Sequence, residues 1–133
     1  MPDLIGKSGV IVHTVLPTDL ASHWKNDTPV LATPILLWLA ELAAMKALEG
    51  LIDPACMTLG TAHNNNSHLA PTPEGFTVHL CATVVSATTK RIVFDIQATD
   101  GTESILEGTH TRAIVDRTFF EKRICNKIAG RHP

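Results

Sequence analysis

The stretch Thr33–Leu51, TPILLWLAELAAMKALEGL, predicts one long helix. Thr33 suits the N-cap and Pro34 the first helical position, while Gly50 marks the end. Alanine and leucine dominate the interior, and apolar residues point in nearly every direction around the helix axis. Such a helix is buried rather than laid on a surface. The rest of the chain is therefore expected to supply a sheet that wraps around it.

Five stretches outside this helix alternate apolar and polar residues between turn residues, as strands do. The predicted strands are residues 9–16, 57–68, 76–87, 91–100 and 104–116. A short helical turn near Asp19–Trp24 and a C-terminal helix over 117–130 complete the expected elements. This order predicts an α+β fold in which one antiparallel sheet of about five strands wraps around one central helix. The architecture is called the hot-dog fold.

Length and composition narrow the class of protein. A chain of 133 residues is expected to be one domain, residues 1–133, with one core. A net charge of −2 without a basic stripe argues against nucleic acid as a partner. Three widely spaced cysteines favour reduced thiols over a disulfide or a metal site. Residues 1–9 lack an apolar signal core, so we expect a cytoplasmic protein without a membrane segment.

Glu41 is the candidate acid or base, because it lies in the middle of the apolar helix. Burial would raise the pKa of this carboxyl toward neutrality, as a general acid or base requires. The alternative is a glutamate that reaches the surface or bonds to neighbouring backbone. Thr33 precedes Glu41 by eight residues, or about 12 Å along the axis. It is either a plain cap or a hydroxyl at the helix mouth, where partial positive charge gathers.

The predicted second strand carries an unusual polar stripe, GTAHNNNSH. His63 and His68 are five residues apart, so in a regular strand they point to opposite faces. Without a bulge, at most one of them lines a given pocket. His68 ends the strand and is a candidate proton shuttle, although a structural or exposed histidine is the alternative. The stripe either lines a dimer interface and active-site cleft, or it protects an exposed edge from aggregation.

The last predicted strand contains His110 and Arg112, which share a face with the apolar Leu106 and Ile114. An inward arginine indicates an anionic partner, either a carboxylate of the protein or a phosphate of a ligand. A salt bridge at the sheet edge is the alternative. The spacing of histidine, cysteine and acidic residues matches no metal-binding pattern, so no zinc or other metal site is expected.

Four motifs follow one another in order: T-x7-E at Thr33 and Glu41, LGT at 59–61, H-x-A-x-T-P-x-G at 68–75, and GTHxRA at 108–113. Together they resemble the fluoroacetyl-CoA thioesterase-like branch of the hot-dog superfamily, over roughly residues 24–122. The resemblance implies an acyl-CoA thioesterase whose substrate is a coenzyme A thioester and which needs no cofactor. It also implies a homodimer, able to pair into a tetramer, with active sites at the subunit interface.

The resemblance assigns roles to individual residues. Thr33, Glu41 and His68 are implied as the catalytic residues, with Gly60 and Arg112 beside them in substrate binding. Glu41 is implied as base or nucleophile toward the thioester carbonyl, His68 as an aid to proton transfer, and Thr33 as a hydrogen-bonding group. Gly60 would allow close approach of the substrate and offer its amide N–H to a developing oxyanion.

Two positions differ from the family pattern. Eight residues separate Gly60 from His68, one more than the resemblance leads us to expect. A bulge in the run 64–66 would absorb the extra residue and keep His68 on the helix side, since asparagine tolerates unusual backbone dihedrals. Trp24 stands for one lid phenylalanine of the fluoroacetate-specific enzyme and is expected to contact substrate, whereas Asp27 replaces the other. These replacements favour a larger or more polar acyl group than fluoroacetyl.

Two further functions fit the same fold. A non-catalytic module that binds acyl-CoA or another acyl ligand would keep the fold with His68 displaced from Glu41. A hydratase acting on enoyl-CoA would need an aspartate and a histidine in one loop-helix motif, and none stands near the long helix. The position of His68 relative to Glu41 separates the enzyme from the binding module.

Overall fold

The computed structural model describes residues 3–131 of the chain. In chain order, the strands and α-helices are β1 (Ser8–Thr14), α1 (Thr33–Ala47), β2 (Cys56–His68), β3 (Thr77–Ala87), β4 (Arg91–Thr99), β5 (Ser104–Asp116) and α2 (Arg117–Ala129). Two 3₁₀ turns, Pro17–Asp19 and Ala21–Trp24, follow β1. The predictions for residues 1–9 and for a domain spanning 1–133 include terminal positions outside the described residues.

The five strands form one antiparallel sheet in the order β1-β3-β4-β5-β2. Helix α1 packs against this sheet, chiefly against β1 and β3. The α+β class, the five strands and the hot-dog arrangement are therefore confirmed. Strand β2 carries the polar stripe and lies at one edge of the sheet, paired only with β5.

The core forms where the inward side chains of β3 and β4 meet one side of α1. These side chains alternate along each strand, as a half-buried strand requires. The buried residues of the two strands are Val78, Leu80, Ala82, Val84, Ile92, Phe94, Ile96 and Ala98. Gly9 on β1 lets the helix come close, because a Cβ there would overlap the carbonyl oxygen of Ala43. The absence of a side chain at Gly9 therefore allows a close contact between β1 and α1.

Two predictions about α1 are wrong. Ala32, not Thr33, is the N-cap, and the Thr33 hydroxyl caps no backbone amide. The helix is also not buried on every side: Trp38 is 48% exposed and Met45 is 42% exposed. A single sheet covers only one side of a helix, so the remaining apolar side chains of α1 face outward.

Cys56 and Cys81 are partly buried free cysteines, and Cys125 is an exposed one. Over residues 3–131, no helix is long and apolar enough to cross a membrane.

Candidate active site

Two bulges in β2 put three of its residues on the side that faces α1. The pairing of β2 with β5 shifts between Gly60 and Ala62 and again between Asn64 and Ser67. Asn65, inside the second shift, has a positive φ of 54°. Each bulge adds one residue without changing the face, so Gly60, His63 and His68 all point toward the helix. The bulge predicted in the asparagine run is confirmed.

Glu41 lies at the centre of the first group of side chains. Nε2 of His63 donates a hydrogen bond of 3.0 Å to Oε2 of this carboxylate. A guanidinium nitrogen of Arg112 lies 3.6 Å from the other oxygen, Oε1. A Cβ added at Gly60 would lie only 2.7 Å from Oε1. The missing side chain at Gly60 therefore lets Oε1 lie close against the backbone of β2. Gly60 is exposed and the Glu41 side chain is 38% exposed, so this place, called the slot at Gly60, is open to solvent.

Arg112 is fixed from several directions. Its guanidinium donates to the hydroxyl and carbonyl oxygens of Thr58, at 3.0 Å each, and to Nε2 of His110 at 3.1 Å. Nδ1 of His110 lies 2.9 Å from the carbonyl oxygen of Ala62 and must donate to it, which leaves Nε2 free to accept from the arginine. Arg112 is 3% exposed, and its anionic partner is the Glu41 carboxylate. Of the partners that the sequence left open, a carboxylate of the protein is the correct one.

The expected rise in the pKa of Glu41 is wrong. Burial does raise it, but the hydrogen bond from His63 and the electrostatic attraction of His110, His63 and Arg112 together outweigh burial and hold the pKa below its ordinary value. The side chain is also 38% exposed, which limits the desolvation. Glu41 is therefore a carboxylate at neutral pH.

Thr33 and His68 form the second group, at the N-terminal end of α1. The Thr33 hydroxyl and Nδ1 of His68 are 2.7 Å apart. Burial lowers the pKa of His68, with a backbone group of Ala70 opposing it, so the imidazole is neutral near pH 7. Both side chains line a cavity of about 420 Å³, and Trp24 forms another part of its wall. The indole N–H of Trp24 is held by the carbonyl oxygen of Thr18 at 3.0 Å.

The structure thus distributes the predicted site residues over two groups, whose helix residues Thr33 and Glu41 lie about 12 Å apart along α1. Glu41 lies with Gly60 and Arg112, whereas Thr33, His68 and Trp24 surround the cavity. The described residues show no hydrogen bond between Glu41 and His68; the imidazole on Glu41 belongs to His63. In a regular strand His63 and His68 would point to opposite faces, and the bulge predicted between them is the signal that could have revealed His63. Asp27 is exposed and is not part of the cavity wall.

Three groups of the site could hold a metal ion by distance alone. One ligand atom each from Glu41, His63 and His110 lie within 4.8 Å of one another. The sequence spacing did not reveal this cluster because its members come from α1, β2 and β5. The charge at this place disfavours a cation, since the guanidinium of Arg112 lies within 3.6 Å of Glu41 and hydrogen-bonds to Nε2 of His110. Arg112 therefore makes the contacts to Glu41 and His110 that a metal ion would need.

Comparison with known proteins points to one family. A family model described as fluoroacetyl-CoA-specific thioesterase matches residues 15–118. The curated fluoroacetyl-CoA thioesterase of Streptantibioticus cattleyicolor is 34% identical over 98 residues, which cover 74% of this chain and 70% of that protein.

Solved structures agree with this likeness. A variant of the fluoroacetyl-CoA-specific thioesterase in complex with fluoroacetate and CoA is 30% identical, with a TM-score of 0.78, over 87% of this chain and 98% of that one. A hot-dog-like protein from Thermanaerovibrio acidaminovorans is 22% identical, with a TM-score of 0.86, over 96% of this chain and 94% of that one. The second likeness extends to the fold alone.

Proposed function

This chain belongs to the fluoroacetyl-CoA-specific thioesterase family, and we propose that it hydrolyses a small acyl-CoA thioester with Glu41 as the attacking or proton-abstracting group. One observation carries the proposal: Oε1 of an ionised carboxylate borders the open slot at Gly60. Because Gly60 is exposed and the Glu41 side chain is 38% exposed, the carbonyl carbon of a thioester, or a water molecule, can reach this oxygen from solvent. A side chain at Gly60 would push the carboxylate away from this position.

The proposed reaction begins with the Glu41 carboxylate, which either attacks the thioester carbon or removes a proton from the attacking water. Both routes require the ionised form, which the lowered pKa supports. The amide N–H of Gly60 stabilises the oxyanion that develops on the carbonyl. Collapse of the tetrahedral intermediate breaks the carbon–sulfur bond and releases CoA as its thiolate. When water attacks, the other product is the free acid. When Glu41 attacks, the acyl group stays on it as an anhydride, which a water molecule then hydrolyses to the acid and the free carboxylate. The coenzyme A thioester is the substrate, and no cofactor takes part in these steps.

The pair Thr33 and His68 handles the proton in this scheme. The neutral imidazole can accept a proton and pass it on, and the 2.7 Å contact to the Thr33 hydroxyl orients the ring. Nε2 of His68 is buried and has no hydrogen-bond partner among the described residues. This nitrogen is therefore the one available to a water molecule or to the leaving sulfur.

The cavity beside Thr33 is the proposed place for the acyl group. Its wall includes the Trp24 ring and the polar side chains of Asn26 and Thr28. A space of about 420 Å³ with polar groups on its wall supports an acyl group larger or more polar than fluoroacetyl. Turnover of a panel of acyl-CoAs that differ in size and polarity tests this choice.

Self-association through β2 is the proposed assembly. Among residues 3–131 this strand has no partner on its outer side, and its stripe is polar enough to stay exposed until a second strand pairs with it. The outward Trp38 and Met45 of α1 give a second copy an apolar surface to cover. Sedimentation of the purified protein at micromolar concentration should show a dimer, able to pair further into a tetramer. A monomer at that concentration contradicts this assembly.

The decisive experiment measures thiol release from short acyl-CoAs by the wild type, Glu41→Gln and His68→Ala. We expect Glu41→Gln to abolish turnover and His68→Ala to reduce it strongly, while His79→Ala on the outer face of β3 serves as the matched control. EDTA should leave the wild-type rate unchanged; loss of activity would give the Glu41, His63 and His110 cluster to a metal. A folded wild type that binds acyl-CoA and releases no thiol is instead a binding module.

A further inference from the structure

The proposed hydrolysis leaves one polar side chain of the site without a role. His63 contacts Glu41 directly, through the 3.0 Å hydrogen bond from Nε2 to Oε2. An ionised carboxylate can only accept, so the hydrogen of this bond is on the imidazole. The imidazole side chain of His63 is 17% exposed, and the bulge between Gly60 and Ala62 places it on the same face as Gly60.

The bond from His63 is the directional contact of the Glu41 carboxylate. Arg112 lies 3.6 Å from Oε1, which is attractive as a charge but too long for a hydrogen bond. The terminal torsion of a glutamate is broad and nearly two-fold, so charge alone does not decide which oxygen faces a given direction. The hydrogen bond to Oε2 does decide it, because it leaves Oε1 beside the slot at Gly60.

The ring of His63 has its own support. It stacks on His110, with ring centroids 4.2 Å apart and planes 18° from parallel. His110 cannot turn freely, since Ala62 and Arg112 hold its two nitrogens. Nδ1 of His63 is buried and has no hydrogen-bond partner among the described residues. The stack and the bond to Glu41 are thus the contacts that orient this imidazole.

We infer that His63 is a positioning residue, which fixes the Glu41 carboxylate so that Oε1 and not Oε2 meets the substrate in the slot at Gly60. The inference rests on the proposed thioester hydrolysis by Glu41. In this arrangement His63 touches neither the thioester nor the leaving group. It acts on the rate only through the orientation and the ionisation of Glu41.

Two variants separate the hydrogen bond from the stack. His63→Phe keeps an aromatic ring against His110 and removes the N–H donor. We expect kcat to fall about 10- to 100-fold, as for loss of a hydrogen bond to a charged group, and KM to change by less than about two-fold. His63→Gln places an amide N–H near the position of Nε2 and should restore most of kcat. His79→Ala, an exposed histidine of β3, is the matched control.

The pH profile provides a readout that a purely structural role would leave unchanged. The bond from His63 lowers the pKa of Glu41, so its loss in His63→Phe should move the acid limb of kcat to higher pH. His63→Gln should move it less. Titration of the Glu41 side-chain carboxyl carbon by NMR should give the same order without any substrate.

These readouts distinguish the two proposals. An inactive wild type, or a fully active Glu41→Gln, refutes hydrolysis by Glu41 and with it the positioning role. If Glu41→Gln is inactive but His63→Phe keeps the wild-type kcat and Glu41 pKa, the inference about His63 alone is wrong. A raised KM at unchanged kcat, or a His63→Gln no better than His63→Phe, also overturns it. Should His63→Phe fail to fold, the carboxyl titration of the wild type beside His63→Gln still decides. A Glu41 pKa in the folded wild type as high as in the denatured chain contradicts the contact with His63.

Discussion

Replacing Gly60 by alanine should damage catalysis far more than folding. The new Cβ would lie 2.7 Å from Oε1 of Glu41 and 3.1 Å from its carboxyl carbon, whereas ordinary contact begins near 3.4 Å. The carboxylate must therefore retreat by about 0.7 Å, the difference between these two distances. A misplacement of about 1 Å at a reacting group can cost about 100-fold in rate. We expect kcat/KM to fall about 30- to 100-fold, or about 2 to 3 kcal/mol of transition-state stabilisation.

The cost of Gly60→Ala to stability should be smaller. The nearest group, Oε1 of Glu41, is the end of a side chain that can move, and the His110 ring, 3.1 Å from the new Cβ, needs to shift by only about 0.3 Å. Overpacking should therefore cost about 1 kcal/mol, the low end of its range. For a chain of this length, that corresponds to a fall in Tm of roughly 3–5 °C. Gly130→Ala is the control, because its Cβ would lie 3.4 Å from the nearest atom at a φ of −75°. The assay is thiol release from an acyl-CoA that the wild type turns over, beside a thermal melt.

Two results would refute this reasoning about the slot. If Gly60→Ala keeps the wild-type kcat/KM, the Oε1 atom beside the slot is not the reacting oxygen. If the loss appears only in KM, the slot binds substrate without placing the Glu41 carboxylate. A collapse of Tm far beyond that expected for about 1 kcal/mol would show that the carboxylate cannot move at all.

Three further results are expected. Arg112→Lys loses the planar fork and should lower the free energy of unfolding by about 2 kcal/mol in urea denaturation; an unchanged midpoint would show that a single cation suffices. Gly108→Ala should destabilise the protein and reduce turnover, because its Cβ would overlap the side chain of Asn66 in the second bulge; a melt at the wild-type Tm contradicts that packing. Burial lowers the pKa values of His68 and His110 below the ordinary histidine value of about 6.5. Below that pH these two histidines therefore bind more protons in the unfolded chain than in the folded one. Stability in urea should hold above that pH and decline as the pH falls through the folded values; a flat profile from pH 7.5 to 5.5 would contradict it.

Local pattern explains why the sequence predicts the elements so well. Each strand alternates over its own residues, and the helix is rich in alanine and leucine, so no distant information is needed. A local pattern does not show which other part of the protein will cover a given side chain. The sequence therefore overstates the burial of α1, whose Trp38 and Met45 lie on the side that the sheet does not reach.

The partners of the site residues required information from several elements at once. The sequence suggests that Arg112 meets an anion, but only the pairing of β2 with β5 brings it beside Glu41 on α1. That encounter reverses the expected direction of the Glu41 pKa shift, because a neighbouring cation and donor outweigh desolvation. The hydroxyl of Thr33 similarly takes His68 as its partner instead of capping the helix.

The two bulges of β2 explain why both His63 and His68 face α1. The eight steps between Gly60 and His68 include two bulges, which leaves an even number of alternations and returns His68 to the helix side. Because the first bulge precedes His63 and the second follows it, His63 also faces the helix. Gly108 leaves the space that Asn66 needs in the second bulge. The bulge in the asparagine run therefore keeps His68 on the helix side, and the bulge before His63 lets β2 carry a second imidazole to Glu41.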